Sequence, residues 1–189
     1  ADRLGLARPL ADQCEYSIYK RDRVELDYGD IFDNYKYGTT VWSPLAGGLL
    51  TGKYNTEVPK EGRYQGSEAK DDRFVKLFSE ENLEETQKAL RGLGEIAQEL
   101  GCSQAALALA WIIKNPDVST AIVGATKLSQ FQDNLTALEI IDKITPEIET
   151  RVEGLFKTAP TPRVDYRKFS PSMPRREKRL QETYPSKAQ

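Results

Sequence analysis

Histidine is missing from all 189 residues, which removes Ser-His-Asp and Cys-His catalysis and any His-ligated zinc site. A general acid or base here has to be Tyr, Lys, Asp, Glu or Cys. Cysteine is scarce. Cys14 and Cys102 stand far apart without metal-ligand spacing, so reduced thiols in a cytoplasmic protein are the expectation. No apolar run approaches the roughly 18 residues of a membrane span, and the first residues lack a signal-peptide core. Neither sign of charge dominates: 27 Lys and Arg against 29 Asp and Glu leave −2, so nothing global points to nucleic acid or to direct membrane insertion. No Gly-x-Gly-x-x-Gly occurs, so a Rossmann site has no support. The first residue is Ala rather than Met, which reads as a processed chain or a fragment. What remains is an ordinary globular composition, 39% hydrophobic and 30% charged, long enough for one or two domains.

The chain alternates between strand and helix patterns. Residues 6–10, Leu-Ala-Arg-Pro-Leu, predict a short strand that Pro9 weakens, followed by a loop carrying Gln13, Glu15 and Tyr16. Apolar spacing from Val24 to Tyr35 predicts an amphipathic helix over 21–37, capped by Asp22 and stopped by Gly38. Thr39–Trp42 is the next strand. Residues 56–82 read as a long polar loop, with Ser79 capping the helix behind it. That helix carries Leu90, Leu93, Ile96 and Ala97 on one face and stops at Gly101. Ser103 caps a helix that is apolar nearly all round, hence buried. Residues 118–123 predict a buried strand. Leu128, Phe131, Leu135 and Leu138 predict a further helix, and Thr145-Pro146-Glu147 opens a last one. From Pro160 the chain turns basic and holds five of its ten prolines, which suits an extended or disordered tail. This order implies an α/β fold with parallel strands. Three strands leave two open edges, which favour pairing with a missing barrel half or with another copy as a homo-oligomer.

The most informative stretch is Thr39–Tyr54. A strand ends at Pro44, and Gly47, Gly48 and Gly52 then allow tight turns and close approach of backbone to a ligand. Thr51 and Lys53 add a hydroxyl and a cation. A glycine-rich turn and an anionic-cofactor loop are both open readings. Gly47-x-x-x-x-Gly52-Lys53 nearly spells a phosphate-binding P-loop. Tyr54, however, replaces the Mg²⁺-holding hydroxyl, and a polar loop follows where a helix is needed.

A second stretch, Val123–Asn134, places Gly124 at a strand end and Thr126 as the cap of the next helix, whose N-terminus favours an anion. Gln130, Asp133 and Asn134 fall on successive turns of that helix. A capped helix with a polar outer face is the plainer alternative. Arg63 is a further cation, and its fork suits phosphate better than Lys does.

Trp42–Tyr54 with Gly62-Arg63, then Cys102–Trp111, then Gly124-Ala-Thr126 with Gln130 and Asn134, resemble the aldo-keto reductase superfamily. Within it the chain is similar to voltage-gated potassium channel β-subunits and their microbial and plant relatives. The resemblance covers residues 1–158. It implies a partial TIM (β/α)8 barrel, strands six to eight with their helices, followed by the tail at 159–189. It implies NADP(H) as cofactor and a small aldehyde or ketone as substrate, reduced to an alcohol. By the family pattern Trp42 stacks on the nicotinamide and Gln13 bonds its carboxamide. Ser43, Pro44, Leu45, Gly47, Thr51 and Lys53 line the pyrophosphate. Arg63, Gly124, Thr126 and Gln130 belong to the adenosine 2′-phosphate side, and Asp133 and Asn134 to the adenine. Asp133 departs from a frequent Glu, and Gly47 stands where some channel subunits carry Cys. The family's catalytic Tyr, Lys, Asp and His belong to the first barrel half, and none of the tyrosines here matches that motif. The resemblance therefore implies most of a cofactor site without a catalytic set: a piece of a reductase, or a non-catalytic cofactor-sensing or channel-associated subunit.

Overall fold

The structure, a computed structural model, describes residues 1–58 and 72–161. Three parallel strands form one sheet in the order β1 (Ala11–Asp12), β2 (Gly38–Val41), β3 (Val118–Ala121). Seven α-helices are described: α1 (Gly29–Tyr35), α2 (Asp72–Leu77), α3 (Leu83–Leu100), α4 (Gln104–Ile113), α5 (Leu128–Leu135), α6 (Ala137–Ile140) and α7 (Pro146–Phe156). Parallel strands joined through helices match the expected α/β class.

Alternate strand residues separate the two sheet faces. Thr39 and Val41 are fully buried, whereas Gly38 and Thr40 are only partly so and Trp42 is exposed. Among the described residues, α4 packs against β3 on the buried side of the sheet. β3 slips by one residue against β2, since Thr39 pairs with Val118 but Thr40 with Thr120. Gly38 sits beside this bulge because a Cβ there would lie 2.9 Å from Ser119 Oγ.

α4 is the central helix, with every residue from Gln104 to Ile112 buried. Ser103 caps it by accepting from the Ala106 N–H at 3.0 Å. α3 lays Ala89, Leu90, Leu93, Ile96 and Ala97 on the core, and α7 adds Ile148 and Val152. α3 and α7 meet closely at Gly92, where a Cβ would fall 2.6 Å from Leu155 Cδ2. Gly92→Val overpacks this crossing. The expected loss is about 1–3 kcal/mol, read as a lower thermal midpoint.

A charged knot ties the chain after β1 to α7. Arg21, only 7% exposed, donates to both Glu25 oxygens at 2.9 and 2.6 Å and to Glu153 at 2.5 Å. Its guanidinium lies 5.0 Å from the Trp111 ring centroid, and Tyr16 stacks on Trp111 at 5.9 Å. Tyr16 donates to Glu25 and accepts from Asn115. Burial, then the Glu25 carboxylate, pushes the Tyr16 phenol well above its ordinary pKa, so it stays a donor. Burial alone would lower the Arg21 pKa, but the two carboxylates more than offset it and the net shift is upward.

Several local expectations are corrected. The first strand is at 11–12, after the apolar run 6–10, because Leu6 and Leu10 stay exposed and pairing begins opposite Gly38. The segment 21–37 is not one helix: a π-type turn, Arg23–Asp27, precedes α1. Asp22 makes no side-chain cap bond, and Lys20 pairs with it instead. The left-handed residue that ends α1 is Lys36 (φ 50°), which leaves Gly38 free to open β2. Ser79 does not cap α3. Asn82 holds that position, and the Ser79 hydroxyl donates to the Lys76 carbonyl. The polar stretch after Thr56 contains α2. β3 is only half buried, with Ser119 and Thr120 exposed. The α5–α6 apolar stripe faces outward: Leu128, Phe131, Leu135 and Leu138 are between 46% and 72% exposed. The proposed tail from 162 onward lies outside the described residues.

Candidate functional site

The site forms where β2 and β3 end. Trp42 continues β2 by pairing with Glu15: the Trp42 N–H donates to the Cys14 carbonyl at 2.9 Å, and the Tyr16 N–H to the Trp42 carbonyl at 3.3 Å. The backbone is therefore fixed on one side while the indole, 42% exposed, stands clear of the core that buries Val41. An exposed aromatic face on a pinned strand end is a stacking platform.

After Trp42 the chain enters strained conformations. Ser43 (φ 55°) and Ala46 (φ 47°) are left-handed without being glycine, and Gly47 (φ 64°), Gly48 (φ 98°) and Gly52 (φ 92°) follow. Left-handed non-glycine residues cost about 1–2 kcal/mol each, and such strain gathers at functional loops. Leu45 near the right-handed region followed by left-handed Ala46 is the alternation that turns successive N–H groups to one side, as in anion-binding nests. Ala46 and Gly48 N–H groups close the loop onto the Ser43 and Leu45 carbonyls, and Thr51 Oγ1 donates to the Gly48 carbonyl at 2.7 Å. Lys53 folds back over the loop, and a Cβ on Gly48 would meet its Nζ at 3.0 Å. The same ammonium lies 5.0 Å from the Tyr54 ring centroid.

The opposite wall is the β3–α5 segment. Gln130 Oε1 accepts from the Thr126 N–H at 2.9 Å, the Thr126 hydroxyl at 3.1 Å and the Lys127 N–H at 3.2 Å. This corrects the expected cap: Lys127 holds the N-cap position, and Thr126 donates to Gln130. Asp133 Oδ2 accepts from Ser103 Oγ at 2.7 Å, which joins α5 to the first turn of α4.

These walls line an open cavity of about 770 Å³. Trp42, Ser43, Pro44, Leu45, Gly47, Thr51 and Lys53 line one side, and Gly124, Thr126, Gln130, Asp133 and Asn134 the other. Gln13 follows β1 but is not on the lining, and Arg63 lies outside the described residues. Four lining residues were not assigned from sequence: Gly48, Ala105, Ile122 and Val123. Gly48 stood in the glycine run, and Ile122 and Val123 at a strand end. Ala105 had no signal, because only tertiary packing brings the first turn of α4 to this wall.

Among the described residues no group of His, Cys, Asp and Glu could hold a metal ion, and no single helix is long and apolar enough to cross a membrane. Burial raises the pKa of both Cys14 and Cys102, so these thiols stay protonated.

Residues 1–155 match the profile of the Aldo/keto reductase family. A probable voltage-gated potassium channel subunit beta from Oryza sativa subsp. japonica is 38% identical over 168 residues, 88% of this chain and 50% of that protein. A putative voltage-gated potassium channel subunit beta from Schizosaccharomyces pombe is 39% identical over 171 residues, 89% of this chain and 48% of that protein. The chain thus spans about half the length of the curated relatives it matches. In structure it is similar to a glycerol dehydrogenase from Gluconobacter oxydans, with TM-score 0.60 and 23% identity over 84% of this chain and 46% of that one. That likeness, with a small parallel sheet, is consistent with part of a (β/α)8 barrel. Match, order of elements and the cavity at the strand ends agree: the chain belongs to the aldo/keto reductase family, on its potassium channel β-subunit-like branch.

Proposed function

We infer that this chain is the NADP(H)-holding portion of an aldo-keto reductase-like oxidoreductase that reduces aldehydes or ketones to alcohols. One observation carries the reading. A single cavity takes an exposed indole at one strand end, a strained glycine-rich loop with an ammonium laid over it, and a polar helix start across from them. A flat ring suits Trp42. Phosphate oxygens suit the 43–48 loop and Lys53. The bare Gly48 position lets the ammonium lie against the loop. When bound, such a cofactor supplies hydride. Arg63 and Gln13 join the assignment through the family pattern.

The cavity has no proton donor of the expected kind among the described residues. Among the described residues no tyrosine lines it, and the chain has no histidine. The reduction therefore calls for groups from a further barrel portion. Among the described residues β1 and β3 have no further partner strand and the apolar stripe of α5–α6 faces outward, which suits such a partner. A second reading, a cofactor-binding regulatory subunit, draws on the names of the curated relatives.

Titration of the chain with NADPH is expected to quench tryptophan fluorescence, and Trp42→Phe is expected to diminish the quench because it removes the indole exposed at the cavity. Arg63→Ala is expected to weaken binding. The chain alone is expected not to reduce 4-nitrobenzaldehyde with NADPH. Absence of quenching would sink the cofactor assignment, and turnover by the chain alone would overturn the missing proton donor.

A further inference from the structure

We propose that Gln104 is a positioning residue for Lys53, a role that rests on the dinucleotide reading of the cavity. Lys53 sits in a four-residue turn, Gly52 to Asn55, closed by the Asn55 N–H donating to the Gly52 carbonyl at 3.2 Å. Its ammonium ends a long, exposed stem, so where the charge stands depends on how the turn is held. The fully buried Tyr54 ring pins the turn at one point. The second point is Asn55, whose Nδ2 donates to Gln104 Oε1 at 2.9 Å. Gln104 is the first residue of α4, only 7% exposed, and its neighbour Ala105 lines the cavity. Arg91 of α3 adds a bond to the Asn55 carbonyl at 3.0 Å on the solvent side.

Two observations give this amide pair more than a packing role. The first is its cost. Gln104 Nε2 and Asn55 Oδ1 are buried with no partner among the described residues. A donor and an acceptor left over make the pair poorer for stability than two apolar side chains would be. The second is the room made for it. A Cβ on Gly94 of α3 would lie 3.0 Å from Gln104 Oε1 and 3.3 Å from Asn55 Nδ2. A Cβ on Gly52 would lie 3.4 Å from the same Gln104 oxygen. Two glycines on different elements thus make way for one hydrogen bond, beside the end of the loop that Lys53 covers. What the bond sets is the rotation of the turn about Tyr54, and with it the place of the ammonium over Gly48. A phosphate oxygen bound there meets a charge already in position, which lowers the cost of ordering on binding.

A double-mutant cycle separates positioning from general loosening. Gln104→Met keeps the side chain's length and removes the acceptor. Lys53→Met removes the charge. NADPH affinity of the full chain is measured by isothermal titration in the wild type, in each single variant and in the pair. Gln104→Met is expected to weaken binding by about tenfold in the wild type but within about twofold in Lys53→Met, the coupling of residues that act as one unit. The fall in thermal midpoint is expected to be the same in both backgrounds. Asn55→Ala cuts the bond from the other side, on a turn residue outside the helices. It is expected to give the same pattern, which covers a Gln104→Met chain that does not fold. A loss of affinity equal in both backgrounds, or no loss, overturns the positioning role. Unchanged affinity in Lys53→Met overturns the ammonium as a phosphate contact and the role with it. A wild-type chain that binds no NADPH overturns the dinucleotide reading itself.

Discussion

Arg21→Ala is expected to destabilise the chain by about 3 kcal/mol, a large share of the roughly 5–15 kcal/mol that holds a domain folded. Arg21 is buried and is the shared partner of Glu25 and Glu153. Removing it leaves two carboxylates facing each other beside the Trp111 ring. The lower end of the usual 3–5 kcal/mol range applies because water relieves part of that cost: the Glu25 and Glu153 side chains keep 20% and 33% of their exposure. Loss of the Arg stem from the Trp111 face adds to it. Chemical denaturation of wild type, Arg21→Ala, and a triple variant Arg21→Met, Glu25→Gln, Glu153→Gln checks this. The triple variant is expected to recover most of the loss, because replacing a buried ionic group as a whole costs little. An Arg21→Ala chain as stable as wild type would show that the knot contributes nothing net.

The second large effect is expected at the cavity. Gly48→Ala is expected to weaken NADPH binding by roughly tenfold to a hundredfold, or about 1.4–2.7 kcal/mol. One cost falls on folding and the other on binding. Gly48 has φ 98°, which an L side chain adopts only under strain of about 1–2 kcal/mol. The new methyl also meets Lys53 Nζ at 3.0 Å and Cε at 3.2 Å, so the ammonium has to leave its place over the loop. Gly101→Ala is the control. Its φ is 72° and nothing lies within 4 Å of the new methyl, so it carries similar strain at the end of α3 without touching the cavity. Stability is expected to fall in both variants and affinity only in Gly48→Ala, compared by thermal midpoint and NADPH titration. Equal affinities in the two would detach Lys53 from cofactor binding.

Much of the fold was legible because its signals are local. Ser103 caps α4, Gly101 ends α3 in the left-handed region, and Thr145-Pro146 starts α7. Each is a matter of a missing N–H, an available acceptor or a missing Cβ. The errors share a different cause. Apolar residues at 6–10 looked like a strand, but strand pairing is decided by the neighbour, and Gly38 pairs with Ala11. The stripe Leu128, Phe131, Leu135, Leu138 looked like a core face, yet periodicity does not say which way a face points. Gly38 looked like a helix stop, and the β3 bulge claimed it instead.

The candidate site divides the same way. Sequence by itself placed an aromatic, a glycine run, a hydroxyl and a cation after one strand, and a polar helix start after another, since each group lies within a dozen residues of its strand end. Which strand end would face which, and across what space, was decided only by parallel pairing of β2 with β3. That pairing brings Trp42 and Lys53 to one cavity with Thr126, Gln130 and Asp133, residues about 80 positions apart. It was also tertiary packing that carried Ser103 to within 2.7 Å of Asp133 and Arg21 to Glu153. Local chemistry fixes which groups the chain offers, whereas long-range contact, set by burial of α4 against the sheet, decides which of them meet.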